Sequence, residues 1–470
     1  MRVAELADRR VAIWGYGREG RAALSALRWR LPEKALTLFC NADEANAARV
    51  DNPDEKSLHI VATPPDAAAL SQFDVVIKSP GISAYKSPLP EAERDGVSFT
   101  SGTALWFAEH ATARTICVTG TKGKSTVSAL IAHLLRQKGL RVALAGNIGL
   151  PLLDLVDPPG KPDWWVIELS SFQTRDFAGA PTVAVINNLY EEHLDWHGTR
   201  ERYAADKLAI AAQARRLVIG AQPELLASTG AHPQRKVFGG YDGWQVRGNA
   251  IWRGTTQVFD LAKSPLPGPH NALNICAAMA AIEAAFDECS PGDPGQARTD
   301  AIALTEHIAS FKPLPHRLQA LGTRAGIDYV NDSIATTPYA TIEALRSLPD
   351  RTVAVLVGGF DRGVEWNPFV EYVAKYPPHA IIAMGANGAN IAAALRRIQA
   401  PGFGLESAPS LAEAVARARE LTPADGVILL SPGAPSFDQF HDYAERGREF
   451  ARLAGFDPAL IANIPGLGIA

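Results

Sequence analysis

Short apolar runs of four or five residues recur along the whole chain, and an Ala- and Leu-rich stretch of helical character follows most of them. The runs include 11–14, 74–77, 115–118, 164–167, 182–186, 353–357, 380–384 and 426–430; the helical stretches include 127–138, 272–285, 338–348 and 410–421. Unbroken apolar strands alternating with helices imply largely parallel sheets covered on both faces, the α/β class. Such sheets take their ligands at the C-terminal ends of the strands. The search for chemistry therefore narrows to the turns that follow strands.

At 470 residues the chain has length for two to four domains. Three strand clusters suggest three: a Rossmann-like domain over 1–110, a P-loop-type central domain over 111–312 and a second Rossmann-like domain over 313–470. An Ala/Thr-rich link precedes Arg114, and Pro313 and Pro315 stiffen the second junction. Residues 216–266 carry more Gly and polar residues, like a small β insertion or an extension of the central sheet. Hydrophobic residues at 47% supply more than one core, which excludes disorder for the whole. A net charge of −4 argues against a nucleic-acid binder, and no run of 18 apolar residues offers a membrane span. The N-terminal residues enter a strand directly, without the pattern of a signal peptide. The four cysteines, Cys40, Cys117, Cys276 and Cys289, lie far apart without CxxC spacing, and are expected as packed free thiols in a reducing cytoplasm.

Gly15, Gly17 and Gly20 form a GxGxxG turn between strand and helix, a geometry that brings a phosphate close to helix N–H groups. A nicotinamide site needs an acidic residue after the second strand. That strand ends here in Cys40-Asn41, with Asp43 beyond, which favours another phosphate or nucleotide ligand, or tight packing alone. Ser79-Pro80-Gly81 ends a strand expected at the same sheet edge, although the triplet alone is also an ordinary turn.

The second turn carries more. Gly120-Thr121-Lys122-Gly123-Lys124-Ser125-Thr126 lies between an apolar β-branched strand and an amphipathic helix. It is shorter than GxxxxGK[ST], yet its chemistry is the same: backbone N–H groups cradle an anion, Lys124 neutralises phosphate charge, and Ser125 or Thr126 reaches Mg²⁺. Glu168 and His193 close the neighbouring strand segments as candidate hard-metal ligands. His193 and His197 have the i, i+4 spacing of a zinc pair, but their loop-like surroundings and the lack of HExxH disfavour zinc.

An ordered set of segments resembles the Mur ligase family, the ATP-dependent amino-acid ligases of peptidoglycan precursor synthesis, and its glutamate-adding members most. The segments are TGTKGKST (119–126), AGNIGLP (145–151), ELSSFQ (168–173), NNLYEEHLDWH (187–197), RYAADKLAI (202–210), PHNALNICAA (269–278), LPHRLQ (314–319), NDSIAT (331–336), GGFDRG (358–363), SPGAPSFDQF (431–440) and RGREFARL (446–453). The resemblance spans all three expected domains. It implies a first domain for the UDP end of UDP-N-acetylmuramoyl-L-alanine, a central ATPase, and a third domain that brings glutamate and closes over ATP. It also implies a monomer, with ATP as co-substrate and two Mg²⁺ ions.

Residue by residue, the resemblance assigns catalysis to Lys124, Glu168, His193 and Lys207. Lys207 matches a lysine that is carbamylated in the family, so that metal ligands become Ser125, Glu168, His193 and the Lys207 carbamate. Gly120 to Thr126, His270, Asn271, Asn274, Arg317 and Asp332 are implied for ATP, with the Asn amides able to read the base edge. Gly15, Gly17, Gly20, Asn41, Ser79, Pro80, Gly81, Asn147, Ser170 and Gln173 are implied for the UDP-linked substrate. Thr336, Arg362, Ser436 and Tyr443 match the glutamate clamp. Without the resemblance, Lys207 reads as a solvated helix lysine and Asn271 or Asn274 as helix caps.

Two positions depart from the common pattern. Ile334 stands where many members have Lys, and Arg362 replaces another Lys. A planar guanidinium grips a carboxylate with two bonds where an ammonium is a point charge. In these two segments, NDSIATTP and GGFDRG, the chain is similar to the branch that adds L-glutamate, for which a partner epimerase inverts the product; in the first domain Cys40 stands in place of the family's acidic residue, which leaves part of the uracil contact to Asn41. D-glutamate addition is the alternative, and a folylpolyglutamate-synthase-like ligase the more distant one. An oxidoreductase reading leaves the Lys124 loop unexplained, and a non-catalytic binder would not need Lys124, Glu168, His193, Lys207 and Asp332 together.

Overall fold

A computed structural model describes residues 1–53, 56–290, 292–461 and 463–470. Among them the chain forms two compact units, one of residues 1–264, 270–311 and 466–470, the other of 265–269 and 312–465.

The first unit contains two parallel sheets. In one, β1 (Val11–Trp14), β2 (Leu36–Phe39), β3 (Leu58–Val61), β4 (Val75–Lys78) and β5 (Ser98–Thr100) run in the order β3-β2-β1-β4-β5. Strand order reverses between β1 and β4, so the Gly15 turn and the Ser79 turn share the crevice at that switch point. Helices α1 (Arg18–Arg30) and α2 (Ala42–Asp51) follow β1 and β2.

The other sheet contains β6 (Thr115–Thr119), β7 (Val142–Gly146), β8 (Trp164–Glu168), β9 (Val183–Ile186), β10 (Arg216–Gly220) and β11 (Arg235–Phe238), in the order β11-β10-β9-β6-β8-β7. Every residue of β6, β7 and β8 is buried, as parallel strands covered on both faces require. Helix α3 (Lys124–Gln137) follows β6, α4 (Arg200–Leu208) lies between β9 and β10, and α5 (Pro269–Cys289) is longer than the sequence pattern suggested. Residues 216–266 do both things expected of them: β10 and β11 extend the sheet, while β12 (Trp244–Arg247), β13 (Ala250–Arg253) and β14 (Thr256–Asp260) form a separate antiparallel one.

In the second unit, β15 (Gln319–Arg324), β16 (Ile327–Asn331), β17 (Val353–Val357), β18 (Ala380–Met384), β19 (Gly404–Ala408) and β20 (Val427–Leu430) form a sheet in the order β15-β16-β20-β17-β18-β19. Only β15 is antiparallel to its neighbour. Helix α6 (Tyr443–Leu453) packs near its end.

The compact units group the residues otherwise than the expected domain bounds: 1–264 and 270–311 fall within one unit, 265–269 join the other, and 466–470 return to the first from the third segment. Gly468 and Ile469 pair antiparallel with β7, an edge strand whose outer N–H and C=O groups would otherwise lack partners. Among the described residues no helix is long and apolar enough to cross a membrane. Cys40, Cys117 and Cys276 are buried free thiols, but Cys289 is exposed, contrary to the expectation that all four are packed.

Candidate active site

The β6–α3 turn is held open by backbone geometry that side chains would block. Gly123 caps α3 at φ +82°, and a Cβ there would lie 2.2 Å from Asn274 Oδ1 and 2.5 Å from Asn187 Nδ2. Both the left-handed backbone and the close approach require glycine. The first N–H groups of α3 then face the cradle, where helix geometry leaves them without intrahelical partners. Lys124 Nζ donates to the carbonyls of Gly120 and Thr121, each at 3.0 Å. Ser125 is buried at the start of the helix and Thr126 half-buried beside it.

Sheet register sets the neighbours of this loop. Val118 pairs with Glu168 of β8, and Thr119 pairs with Ile186 of β9. Glu168 and Asn187 therefore flank the loop on either side. Glu168 is 1% exposed; its Oε1 accepts from Asn147 Nδ2 at 2.6 Å, while its Oε2 is buried without a hydrogen-bond partner. Asn187 Nδ2 donates to Lys122 O at 3.0 Å and Asn274 Oδ1 at 2.9 Å. Asn188 accepts from Lys122 N and donates to Lys122 O.

Lys207 stands on α4, 2% exposed, and donates to Gly120 O at 2.8 Å. Burial, and then the charges of Lys124 and Lys122, push its ammonium well below the ordinary lysine range, against the opposing Glu192 and Glu168. His193 has φ +57°, a left-handed conformation that is uncommon outside glycine. Burial followed by Lys124 and Lys207 lowers its imidazole, with Glu192 opposing, which leaves a neutral ring nitrogen available at neutral pH. Lys122 pairs with Glu192 at 2.7 Å. His197 is no partner of His193: its Nδ1 meets Asp206 at 2.6 Å and its Nε2 meets Ser171 Oγ at 2.9 Å, so both ring nitrogens are engaged. Among the described residues, no three His, Cys, Asp or Glu side chains cluster as a metal site.

At the first sheet, a Cβ on Gly20 would lie 2.0 Å from Gly15 O, so this glycine lets α1 pack against the turn, whereas one on Gly17 would meet nothing within 4 Å. Ser79 Oγ is buried without a partner beside Gly15 and Gly20. In the second unit, Asp332 Oδ1 accepts from Leu318 N at 3.1 Å and Oδ2 from Ser431 Oγ at 2.8 Å. Burial raises the Asp332 carboxyl to about 7, against the pull of Ser431, Leu318 and Arg317. Arg362 is exposed, Thr336 and Tyr443 stand at the ends of neighbouring loops, and Ser436 is buried.

Residues 118–282 match the Mur ligase middle domain and residues 316–433 the Mur ligase glutamate ligase domain. A protein named UDP-N-acetylmuramoyl-L-alanine–L-glutamate ligase, from Xanthomonas euvesicatoria pv. vesicatoria (strain 85-10), is 49% identical, with 100% of both chains covered. The chain belongs to the Mur ligase family. Among solved Mur ligases, the UDP-N-acetylmuramate-alanine ligase of Thermotoga maritima superposes with a TM-score of 0.59 at 17% identity, over 95% of this chain and 99% of that one. The MurF ligase of the same organism, solved in complex with ADP, gives 0.53 at 17% identity over 81% and 93%. These likenesses carry the α/β, three-domain Mur ligase fold.

Several residues of this Mur ligase are held differently from what the sequence suggested. Asn274 is not a free reader of a base edge: Oδ1 accepts from Asn187 and Nδ2 donates to Asn271 Oδ1 at 3.0 Å, so the pair buttresses the Gly123 turn. Gln173 is likewise engaged. It forms a capping box with Ser170 and donates to Glu19 at 3.2 Å, which ties α1 to the ELSSFQ segment. Asn41 Oδ1 caps α2 by accepting from Glu44 N at 2.9 Å. The carbonyls of Pro80 and Gly81 both accept from Trp196 Nε1 at 3.1 Å.

Sequence reasoning missed Asn187, Asn188, Glu192 and Tyr203 as members of the site. Tyr203 Oη lies 2.7 Å from Thr121 Oγ1 and its ring lies under Lys207. Asn187 and Asn188 had a usable signal: two amides directly after a buried strand whose neighbour carries a phosphate loop.

Proposed function

We propose that this Mur ligase joins glutamate, as the L enantiomer, to UDP-N-acetylmuramoyl-L-alanine with ATP as co-substrate. The observation that carries the reading is the pairing of the Lys124 anion cradle with the unpartnered Glu168 oxygen on the adjacent strand end. The name of the 49% identical Xanthomonas protein and the Arg362 and Ile334 positions support L-glutamate.

Carboxylates are poor electrophiles, so the terminal alanine carboxylate first takes the γ-phosphoryl group of ATP, giving an acyl phosphate and ADP. The glutamate amine then adds to the acyl carbon, a tetrahedral intermediate forms, and phosphate leaves as the amide closes. In-line phosphoryl transfer is chiefly a matter of position and charge. The N–H groups of the 120–126 segment orient the β- and γ-phosphates, and the Lys124 ammonium stabilises charge as it spreads over the transferring group. Ser125, Glu168, His193 and a Lys207 carbamate would hold Mg²⁺, which would supply charge neutralisation between two anions that otherwise repel. The buried, unpartnered Glu168 Oε2 is the donor atom that most needs a cation. A carbamate oxygen on Lys207 would add a hard ligand to those of Glu168 and His193.

We assign residues 1–110 to the UDP end, 111–312 to ATP chemistry, and Thr336, Arg362, Ser436 and Tyr443 to glutamate. Ser79 Oγ, with Gly15 and Gly17, is the strongest candidate contact at the UDP end, because its hydroxyl still lacks a partner. The test is phosphate release from UDP-N-acetylmuramoyl-L-alanine, ATP and Mg²⁺ with L- and D-glutamate compared side by side. Faster turnover with L-glutamate is expected; a preference for the D form reverses the stereochemical assignment, and no glutamate-dependent release removes the reading.

Arg362→Lys tests the clamp. Arg362 is exposed, and among the described residues no hydrogen bond or ion pair engages it. Replacing its fork by a point charge is expected to raise KM for glutamate by roughly 10-fold, the effect of about one charge-assisted bond, with KM for ATP unchanged. An unchanged glutamate KM counts against the assignment.

A further inference from the structure

Arg446 is among the largest side chains buried in the second unit, at 2% exposure, and its bonds to neutral oxygens set it apart from an ordinary ion pair. Its Nε donates to Ser333 Oγ at 3.1 Å and its Nη2 to Ser333 O at 2.8 Å. Nη2 also donates to Ala434 O at 3.0 Å, and Nη1 to Pro435 O at 3.1 Å. Ser333 Oγ passes the connection on by donating to Tyr443 O at 2.8 Å. Pro435 O accepts a second bond from Phe360 N at 2.9 Å, and Gly358 N donates to Pro432 O at 2.7 Å. A Cβ on Gly359 would lie 3.1 Å from Arg446 Nη1.

The guanidinium thus bonds the two loops that leave the C-terminal ends of β16 and β20, and the loop after β17 is tied to the second of them through Phe360 N on Pro435 O. Those loops carry Thr336, Ser436 and Arg362, and Tyr443 begins the helix on which Arg446 itself stands. Burial pulls the guanidinium down to about 10, with Asp438 opposing, so it keeps its charge at neutral pH. The cavity beside it measures about 10 Å³, room for no more than a water, so Arg446 does not reach a substrate.

We infer that Arg446 is the positioning residue of the amino-acid clamp, a buried tether that sets the spacing of the loops bearing Thr336, Arg362, Ser436 and Tyr443. The inference rests on the glutamate reading of those four residues. Carbonyl oxygens from separate loops cannot bond one another, and a planar fork with several divergent N–H groups is the side chain able to gather them. A lysine would keep the charge yet lose the fork.

Two readouts on the full chain test this. Arg446→Lys is expected to raise KM for glutamate by about 10-fold or more, as misplaced clamp groups do, while KM for ATP stays within about twofold. Amide hydrogen exchange without any substrate is expected to rise together in residues 331–337, 358–363 and 432–437. Ser333→Ala removes one hydroxyl and leaves the cation in place. It is expected to fold like the parent and to show a smaller change in the same direction, which keeps the test usable if Arg446→Lys is poorly folded. Exchange that rises only along 443–453 overturns the tether. A rise in the three loops with unchanged glutamate KM in both variants overturns the positioning role. Glutamate-dependent phosphate release by the parent chain is scored separately, so failure of the glutamate reading is told apart from failure of the tether.

Discussion

Lys124→Ala is expected to reduce ADP release by about 10³-fold or more, the scale on which loss of one charge-stabilising group acts in acyl and phosphoryl transfer. Its ammonium sits over the Gly120 and Thr121 carbonyls at the mouth of the α3 N-terminus, where a phosphate anion would meet both the helix N–H groups and the charge. The fold should survive. Helix α3 is anchored by Val127, Leu130, Ile131, Leu134 and Leu135, all fully buried, and the turn geometry comes from Gly120, Gly123 and the Asn187–Asn274 pair. A coupled ADP assay at saturating substrates, with circular dichroism and a melting curve on the same preparation, separates the two effects. The substitution also removes a positive neighbour that, after burial, lowers the Lys207 ammonium, so it weakens the second half of the site as well. Turnover within about 10-fold of the parent would remove Lys124 from the phosphate-handling role, because a loss that small is within reach of a side chain that merely trims the pocket.

The cradle was legible because its chemistry is local. Glycines at fixed offsets, a lysine and a hydroxyl between a β-branched strand and an amphipathic helix describe one turn without knowledge of anything else. The three strand clusters were legible for a similar reason, since β1, β9 and β17, one from each, are apolar at every position. What surrounds the cradle was not. Asn274 lies 151 positions after Gly123 in the chain, and only the fold brings its amide within contact of that glycine. His193 and His197 have a spacing that suggests joint ligation, but the left-handed backbone at His193 and the Asp206–His197–Ser171 chain give them separate work. Arg446 sits in a helix rich in charged residues, YAERGREFARL; its burial depends on the Ser333 carbonyl, 113 positions upstream, and on those of Ala434 and Pro435. Terminal residues 468–469 illustrate the same point, since an edge strand's need for partners leaves no mark on its own side chains.

Lys207→Ala is expected to be inactive in ordinary buffer, by roughly 10³-fold, and to regain part of its activity with formate or acetate at millimolar concentration. The physical case starts from burial. An ammonium at this site stands among Lys124 and Lys122 in a place where solvent cannot screen it, and those neighbours together with desolvation favour the neutral amine. A neutral amine is a nucleophile: its lone pair adds to the carbon of CO₂, one N–H proton passes to water, and a carbamate anion remains. The nitrogen keeps one N–H, enough to retain the bond to Gly120 O. Carbamylation would place beside Lys124 an anion that two neighbouring lysines stabilise, and would add hard oxygen near Glu168. Alanine removes the stem and the amine together, leaving space for a small carboxylate to stand where the carbamate stood. Carbon-13 NMR of the parent chain under labelled CO₂ gives an independent readout: a carbamate resonance is expected in the parent and absent in Lys207→Ala. Full activity of the variant without added carboxylate, or a parent spectrum lacking that resonance, would leave Lys207 as a structural donor to the loop and would require the second metal ligand to come from elsewhere.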